Sequence, residues 1–108
     1  MHKRVKSLLG LCQKAGLLVS GAYACEKALQ ERTAKLVVVA LDASDNTRKK
    51  FVNKAFYYEV PTLLYGDMET LSRTIGKANR AVAIITDEKM AGKVANEIEV
   101  AISDSQSG

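Results

Sequence analysis

Histidine occurs once in this 108-residue sequence, cysteine twice and tryptophan never. A nucleophilic triad needs a positioned imidazole base, and the single candidate, His2, sits in the N-terminal segment. Triad hydrolysis is excluded in its usual form. Cys12 and Cys25 are too few for a disulfide framework and lie outside any C-x-x-C pair. Each falls among apolar neighbours at helical spacing, which predicts buried, reduced thiols. No metal site is expected from so sparse a ligand set. Long apolar runs are missing as well. The longest, Leu36 to Leu41, is far below the ~18 residues of a membrane-spanning helix. Polar and charged positions follow the basic N-terminus where a signal peptide would carry an apolar h-region and a cleavage site. A cytoplasmic protein with no membrane partner is the expectation. Phosphate-cradling glycine motifs are absent too. There is no G-x-x-x-x-G-K-[ST] and no G-x-G-x-x-G after a strand, and Gly10, Gly16 and Gly21 are too dispersed to hold a pyrophosphate. No cofactor and no catalysis are expected.

What is present is an ordinary globular composition, 47% hydrophobic and 26% charged, of a length that suits a single core. The charge is divided unevenly. Residues 1–80 carry a net +7 and residues 81–108 a net −3, giving +4 overall. A basic excess of this kind suits a polyanionic partner, or it serves solubility alone.

Helix and strand patterns alternate along the chain without a linker or repeat. A first helix over roughly 3–15 places Val5, Leu8, Leu9, Cys12 and Ala15 on one stripe, with Gly16 as its left-handed cap. Leu17-Leu18-Val19 reads as a short strand. A second helix over 22–32 turns Cys25, Ala28 and Leu29 inward and Tyr23, Lys27, Gln30 and Glu31 outward. The continuous β-branched run from Leu36 to Leu41 suits a strand buried on both faces. The segment Asp42-Ala43-Ser44 then offers capping oxygens to a helix over 45–57, whose apolar face is expected to be Val52, Ala55 and Phe56. A strand over 60–65 tolerates the lone proline, Pro61, near its start. A short helix follows, with Met68, Leu71 and Ile75 inward, then a loop over 76–80 and a strand over 81–85. Thr86 or Asp87 caps a last helix through Met90, Ala91, Val94, Ala95, Ile98 and Ala101. The expected fold is α/β, a three-layer α/β/α sandwich with a mixed sheet of about four strands. One domain is expected over residues 1–102, with residues 103–108 as a flexible tail. With no evident exposed apolar stripe, the domain is expected to be a monomer.

Three polar groups stand out. Gly21 precedes the second helix, with Tyr23 and Lys27 four residues apart on its exposed face. A helix start offers free N–H groups to phosphate, and a ring beside an ammonium makes a nucleobase platform. The third helix carries Asn46 at its head, then Arg48, Lys49, Lys50 and Lys54. The third group, Arg73, Lys77, Asn79 and Arg80, surrounds the Gly-containing loop and suits a sugar-phosphate backbone. Each group alone is also compatible with a solvated surface. Asp42 and Asp45 follow a strand end where open α/β sheets often place chemistry, but capping of the following helix accounts for them more simply.

The order of these blocks adds a resemblance. Leu8-Leu9-Gly10-Leu11, Ala15 through Gly21, Lys27-Ala28-Leu29, Ala34 through Ala40, Asp42 through Thr47, Val60-Pro61, Gly66-Asp67, Leu71 through Lys77 and Ala81 through Ile84 occur in the order of the ribosomal L-seven-Ae family. Over roughly residues 5–95 the chain resembles these kink-turn RNA-binding proteins, in their bacterial YlxQ-type branch. The resemblance implies a three-layer fold that grips a sharply bent RNA. The second helix's start would enter the groove where tandem G·A pairs are read, and the loop before the last strand would cover an extruded nucleotide. The family's G-x-N-E-x-x-K pattern falls with its glycine on Gly21 and its lysine on Lys27. Its asparagine and glutamate positions hold Tyr23 and Ala24, so guanine readout by an Asn/Glu pair is absent and Tyr23 is left to stack or donate. The family's acidic residue after the second strand corresponds to Asp42, and its nucleotide-covering loop to Ala78-Asn79-Arg80. These relations imply a non-catalytic RNA-binding protein of the ribosomal or ribosome-associated class, with rRNA or another kinked RNA as partner. Its RNA-binding residues would be Gly21, Tyr23, Lys27, Asp42, Asn46, Lys50, Arg73, Lys77, Asn79 and Arg80. A protein-interaction module on the same fold is the alternative.

Overall fold

In the computed structural model, residues 1–107 are described in backbone and residues 1–104 also in side chain. They form α1 (Lys3–Lys14), β1 (Leu18–Ser20), α2 (Ala22–Gln30), β2 (Leu36–Val39), α3 (Asp45–Tyr57), β3 (Thr62–Leu64), α4 (Met68–Thr74), β4 (Val82–Ile85) and α5 (Glu88–Ser107). The sheet order is β1-β4-β2-β3. β4 runs antiparallel to both β1 and β2, while β2 and β3 are parallel. The mixed sheet expected from the sequence is present.

Strand alternation builds two cores from one sheet. Leu36, Val38, Ala83 and Ile85 pack with Val5, Leu9 and Cys12 of α1, Leu71 of α4, and Val94 and Ile98 of α5. Val37, Val39, Val82 and Ile84 point the other way, onto Cys25, Ala28 and Leu29 of α2 and Phe51 and Ala55 of α3. Both inner strands are buried along their whole length, which is why they read as unbroken apolar runs rather than alternating ones. The layers are therefore α1, α4 and α5, then the sheet, then α2 and α3. No described helix is long and apolar enough to cross a membrane.

Three expectations change. The inward face of α3 is Phe51 and Ala55, whereas Val52 and Phe56 are exposed, Phe56 at 86%. Both stripes have helical spacing and each carries one phenylalanine, and the one packed on the sheet's Val37–Val39 surface is Phe51 with Ala55. Val52 and Phe56, with Tyr57 beside them, thus supply an exposed apolar strip that the monomer expectation assumed to be missing. Asp42 does not cap α3. Ser44 does so, accepting the Thr47 N–H at 3.2 Å, and Asp42 reaches across the sheet end to accept the Met68 N–H of α4 at 2.8 Å. Finally, the backbone of residues 103–107 continues α5, where a tail is expected. Extending an existing helix needs only one more bond per residue, so weak formers follow it. The side chains of residues 105–107 and all of Gly108 lie outside the described residues. Asp87 caps α5 as expected, accepting the Met90 N–H at 2.9 Å.

Candidate nucleic-acid interface

Register decides what meets at the sheet's end. Ser20 lies opposite Ala83, and Val39 lies between Val82 and Leu64. The turns after β1, β2 and β3 and the loop before β4 therefore share one edge. Because α2, α3 and α4 each follow one of those strands, all three begin there. Three helix N-termini, with their positive dipole ends, therefore converge on one side of the molecule.

Main-chain bonds fix this rim. Gly21 N–H donates to the Val82 carbonyl at 3.2 Å, Ala40 N–H to Ala81 at 2.9 Å and Leu41 N–H to Gly66 at 2.8 Å. The Asp42 carboxylate adds the cross-link to α4 already described. Asp67 completes that helix start by accepting the Thr70 N–H at 2.9 Å. Hydrogen bonds from the Thr70 backbone and hydroxyl hold the Asp67 carboxyl below its usual range.

At α2, Gly21 has φ 86° and ψ 156°, a conformation essentially confined to glycine. Its carbonyl accepts the Cys25 N–H at 3.0 Å, and no side chain caps the helix. Among the described residues, the N–H groups of Ala22, Tyr23 and Ala24 have no partner. Tyr23 projects beside them with 80% exposure, and Lys27, one turn further, is exposed and unpaired among the described residues. Beneath them the Cys25 thiol faces the Val19 and Val82 carbonyls at 3.7 and 3.8 Å, and burial pushes its pKa up to about 12. It is packing, not a nucleophile.

The loop before β4 is locked from below. Gly76 and Asn79 have φ 69° and 55°, and Lys77 N–H closes the end of α4 on the Ser72 carbonyl at 2.8 Å. The buried Ser72 hydroxyl accepts the Arg80 N–H at 2.8 Å and donates to the Arg80 carbonyl at 3.4 Å. Arg80 Nε donates to Ser20 Oγ at 3.1 Å and its Nη1 to the Ala78 carbonyl at 2.8 Å. Its side chain runs 3.6–3.8 Å from where a Cβ on Gly21 would stand. Arg80 thus ties the loop to the start of α2.

Of the ten residues singled out in the sequence, Gly21, Tyr23, Lys27 and Arg80 form one group. Asp42, Arg73, Lys77 and Asn79 line a shallow depression next to it, together with Met68, Glu69 and Ser72. Arg73 also pairs with Glu69 at 2.6 Å. Asn46 is exposed on the first turn of α3. Lys50 stands apart. Its Nζ lies 2.5 Å from Glu26 of α2, and that hydrogen bond, with the nearby Lys50 and Lys54 charges, holds the Glu26 carboxyl below its usual range. Lys50 therefore joins α3 to α2. Ser20 and Ser72 were not singled out in the sequence. The available signal for Ser72 was a hydroxyl four residues after Met68, on a stripe otherwise read as apolar.

Known proteins share this fold. The family model described as "Ribosomal protein L7Ae/L30e/S12e/Gadd45 family" matches residues 3–95. The chain is 41% identical over 87 residues to "RNA-binding protein YlxQ" of Bacillus subtilis (strain 168), covering 81% of this chain and 87% of that protein. It is 37% identical over 99 residues to the protein of the same name from Enterococcus faecium, covering 91% and 94%. Among solved structures, a protein of unknown function from Bacillus halodurans C superposes with a TM-score of 0.86 at 34% identity, covering 91% of this chain and 99% of that one. The Giardia lamblia 15.5kD RNA binding protein shares the fold, with a TM-score of 0.73 at 21% identity and 96% and 92% coverage. By the extent of the family match and the identity to these relatives, the chain belongs to the ribosomal protein L7Ae/L30e/S12e/Gadd45 family.

Proposed function

We propose that this protein is a non-catalytic RNA-binding protein that recognises a sharply bent, kink-turn-like RNA in the cytoplasm, as part of ribosomal or ribosome-associated assemblies. The observation that carries the reading is the start of α2. A glycine-only turn leaves three N–H groups without a partner among the described residues, beside an exposed tyrosine and a lysine likewise unpaired among them. That set offers phosphate contacts, a stacking ring and a cation over one helical turn. Lys77 and Asn79 continue the polar surface across the neighbouring depression, and the relatives' names as RNA-binding proteins accord with this use. Tyr23 and Ala24 stand where the family motif carries asparagine and glutamate, so Tyr23 recognises the bend by stacking rather than by paired hydrogen bonds to guanine.

The test is a gel shift with a kink-turn RNA beside a straight duplex of equal length, at two salt concentrations. Preference for the bent RNA supports the reading, and equal binding to both refutes it. Lys27→Ala is expected to weaken binding by ~1–3 kcal/mol, the worth of one good charge-assisted contact. Calorimetry showing no loss removes Lys27 from the interface. The exposed Val52, Phe56 and Tyr57 strip favours a second reading, a protein-interaction module. That reading gives a shallow dependence of affinity on salt, where RNA binding gives a steep one.

A further inference from the structure

The first 25 residues contain Lys3, Arg4, Lys6 and Lys14 and no acidic residue, Glu26 being the first. In α1 the buried side is Val5, Leu9 and Cys12. A rotation of ~100° per residue then turns Lys3, Gly10 and Lys14 away from that side and leaves Lys6 and Gln13 about a quarter turn from it. Gly10, at the middle of the face these five share, lies against the end of α4, where an added Cβ would stand at an ordinary packing distance of 3.7 Å from the Thr74 carbonyl oxygen. A groove results between α1 and residues 73–76. Its charged lining is Lys6, Lys14 and Arg73, and no carboxylate among the described residues lines it. Arg73, 74% exposed in side chain, also borders the depression that holds Asp42, Lys77 and Asn79. The groove is therefore continuous with the sheet-end surface and leads away from it along α1.

We propose that this α1–α4 groove is a second RNA contact, which holds the sugar-phosphate backbone of a stem leaving the bend. The proposal rests on the reading of the sheet end as an RNA site. Lys6 and Lys14 are eight residues apart, ~12 Å along the helix at ~1.5 Å per residue. That span matches several backbone phosphates, which follow one another every ~3.4 Å of axis in a duplex strand. Ammonium groups on flexible stems neutralise phosphate without reading sequence. The contact therefore adds affinity and salt dependence but no base preference. An acidic protein segment is the rival occupant, and it predicts no gain from a longer RNA.

The experiment compares the full chain with its Lys6→Ala/Lys14→Ala variant on bent RNAs sharing one bend, with each stem either short or extended, at 50 and 200 mM salt. Both lysines are exposed, and a thermal melt matching the unsubstituted chain confirms that the variant folds. Extending one of the two stems should tighten binding by the unsubstituted chain, and the variant should lose that gain while binding the short RNA normally. On the extended RNA, the fall in affinity between the two salts should be about tenfold smaller for the variant, the worth of two phosphate contacts. No gain from either extension, or a variant with unchanged salt dependence, overturns the proposal. Failure of the sheet-end reading looks different, because the unsubstituted chain then binds bent and straight RNA alike. The groove is in that case judged on the straight duplex, where an unchanged salt slope in the variant overturns it.

Discussion

Replacing Gly21 with alanine separates backbone strain from steric contact at the start of α2. A Cβ there would meet nothing closer than 3.6 Å, the side chain of Arg80, which is ordinary packing distance. The penalty comes instead from φ 86° and ψ 156°, which cost an L residue ~1–3 kcal/mol. That energy has two outlets. If the turn keeps its geometry, stability falls, and each kcal/mol lowers the melting midpoint of a domain this size by about 4 °C or more. If the turn relaxes, the N–H groups of Ala22, Tyr23 and Ala24 leave their alignment. RNA must then restore it, and affinity drops by about 5- to 150-fold. Gly92→Ala is the matched control, because that glycine lies in α5 with nothing within 4 Å of a new Cβ. It should stabilise by ~0.5–1 kcal/mol and leave RNA binding unchanged. Thermal melts and calorimetric titration of bent RNA on both variants read the two outlets. A Gly21→Ala protein that melts and binds like the unsubstituted chain would refute the reasoning.

Two further substitutions probe the support beneath the interface. Ser72→Ala removes both hydrogen bonds between its hydroxyl and the Arg80 backbone and leaves a partly buried N–H unpaired, at ~1 kcal/mol or more. It should speed hydrogen exchange at the Arg80 amide and weaken RNA binding although Ser72 is buried, and unchanged exchange would show that the loop is held by something else. Phe51→Ala should destabilise by ~3–5 kcal/mol in urea unfolding, whereas Phe56→Ala, at an 86% exposed ring, should stay within ~0.5 kcal/mol. Equal effects would mean that the phase of α3 is wrong.

Most element types were legible because local patterns carry them. The unbroken Leu36–Val39 stretch announces a strand covered on both faces, and Val5, Leu9 and Cys12 mark the buried stripe of α1. The phase of α3 was not legible. Its sequence holds two competing apolar stripes, and only the β2 surface beneath it chooses Phe51 over Phe56. The destination of Asp42 was hidden for a related reason. A carboxylate two residues before a helix cap looks like part of that cap, yet its partner is the Met68 N–H, 26 positions along the chain. Lys50 read as an RNA-binding cation because nothing local shows Glu26 across the α2–α3 contact.

By itself, then, the sequence determined the layered α/β pattern, the helix starts, the two buried thiols and the residues available to meet a polyanion. Those follow from side-chain chemistry and from periods of two and 3.6 residues, which act over neighbouring positions. Tertiary structure decided which of those residues share a surface. The order β1-β4-β2-β3, with β4 reversed against both its neighbours, gathers three helix starts and the 76–80 loop at one edge. It also turns Arg80 and Lys50 into braces and brings the basic face of α1 alongside Arg73. Strand order depends on contacts between segments far apart in the chain, and no local period encodes it.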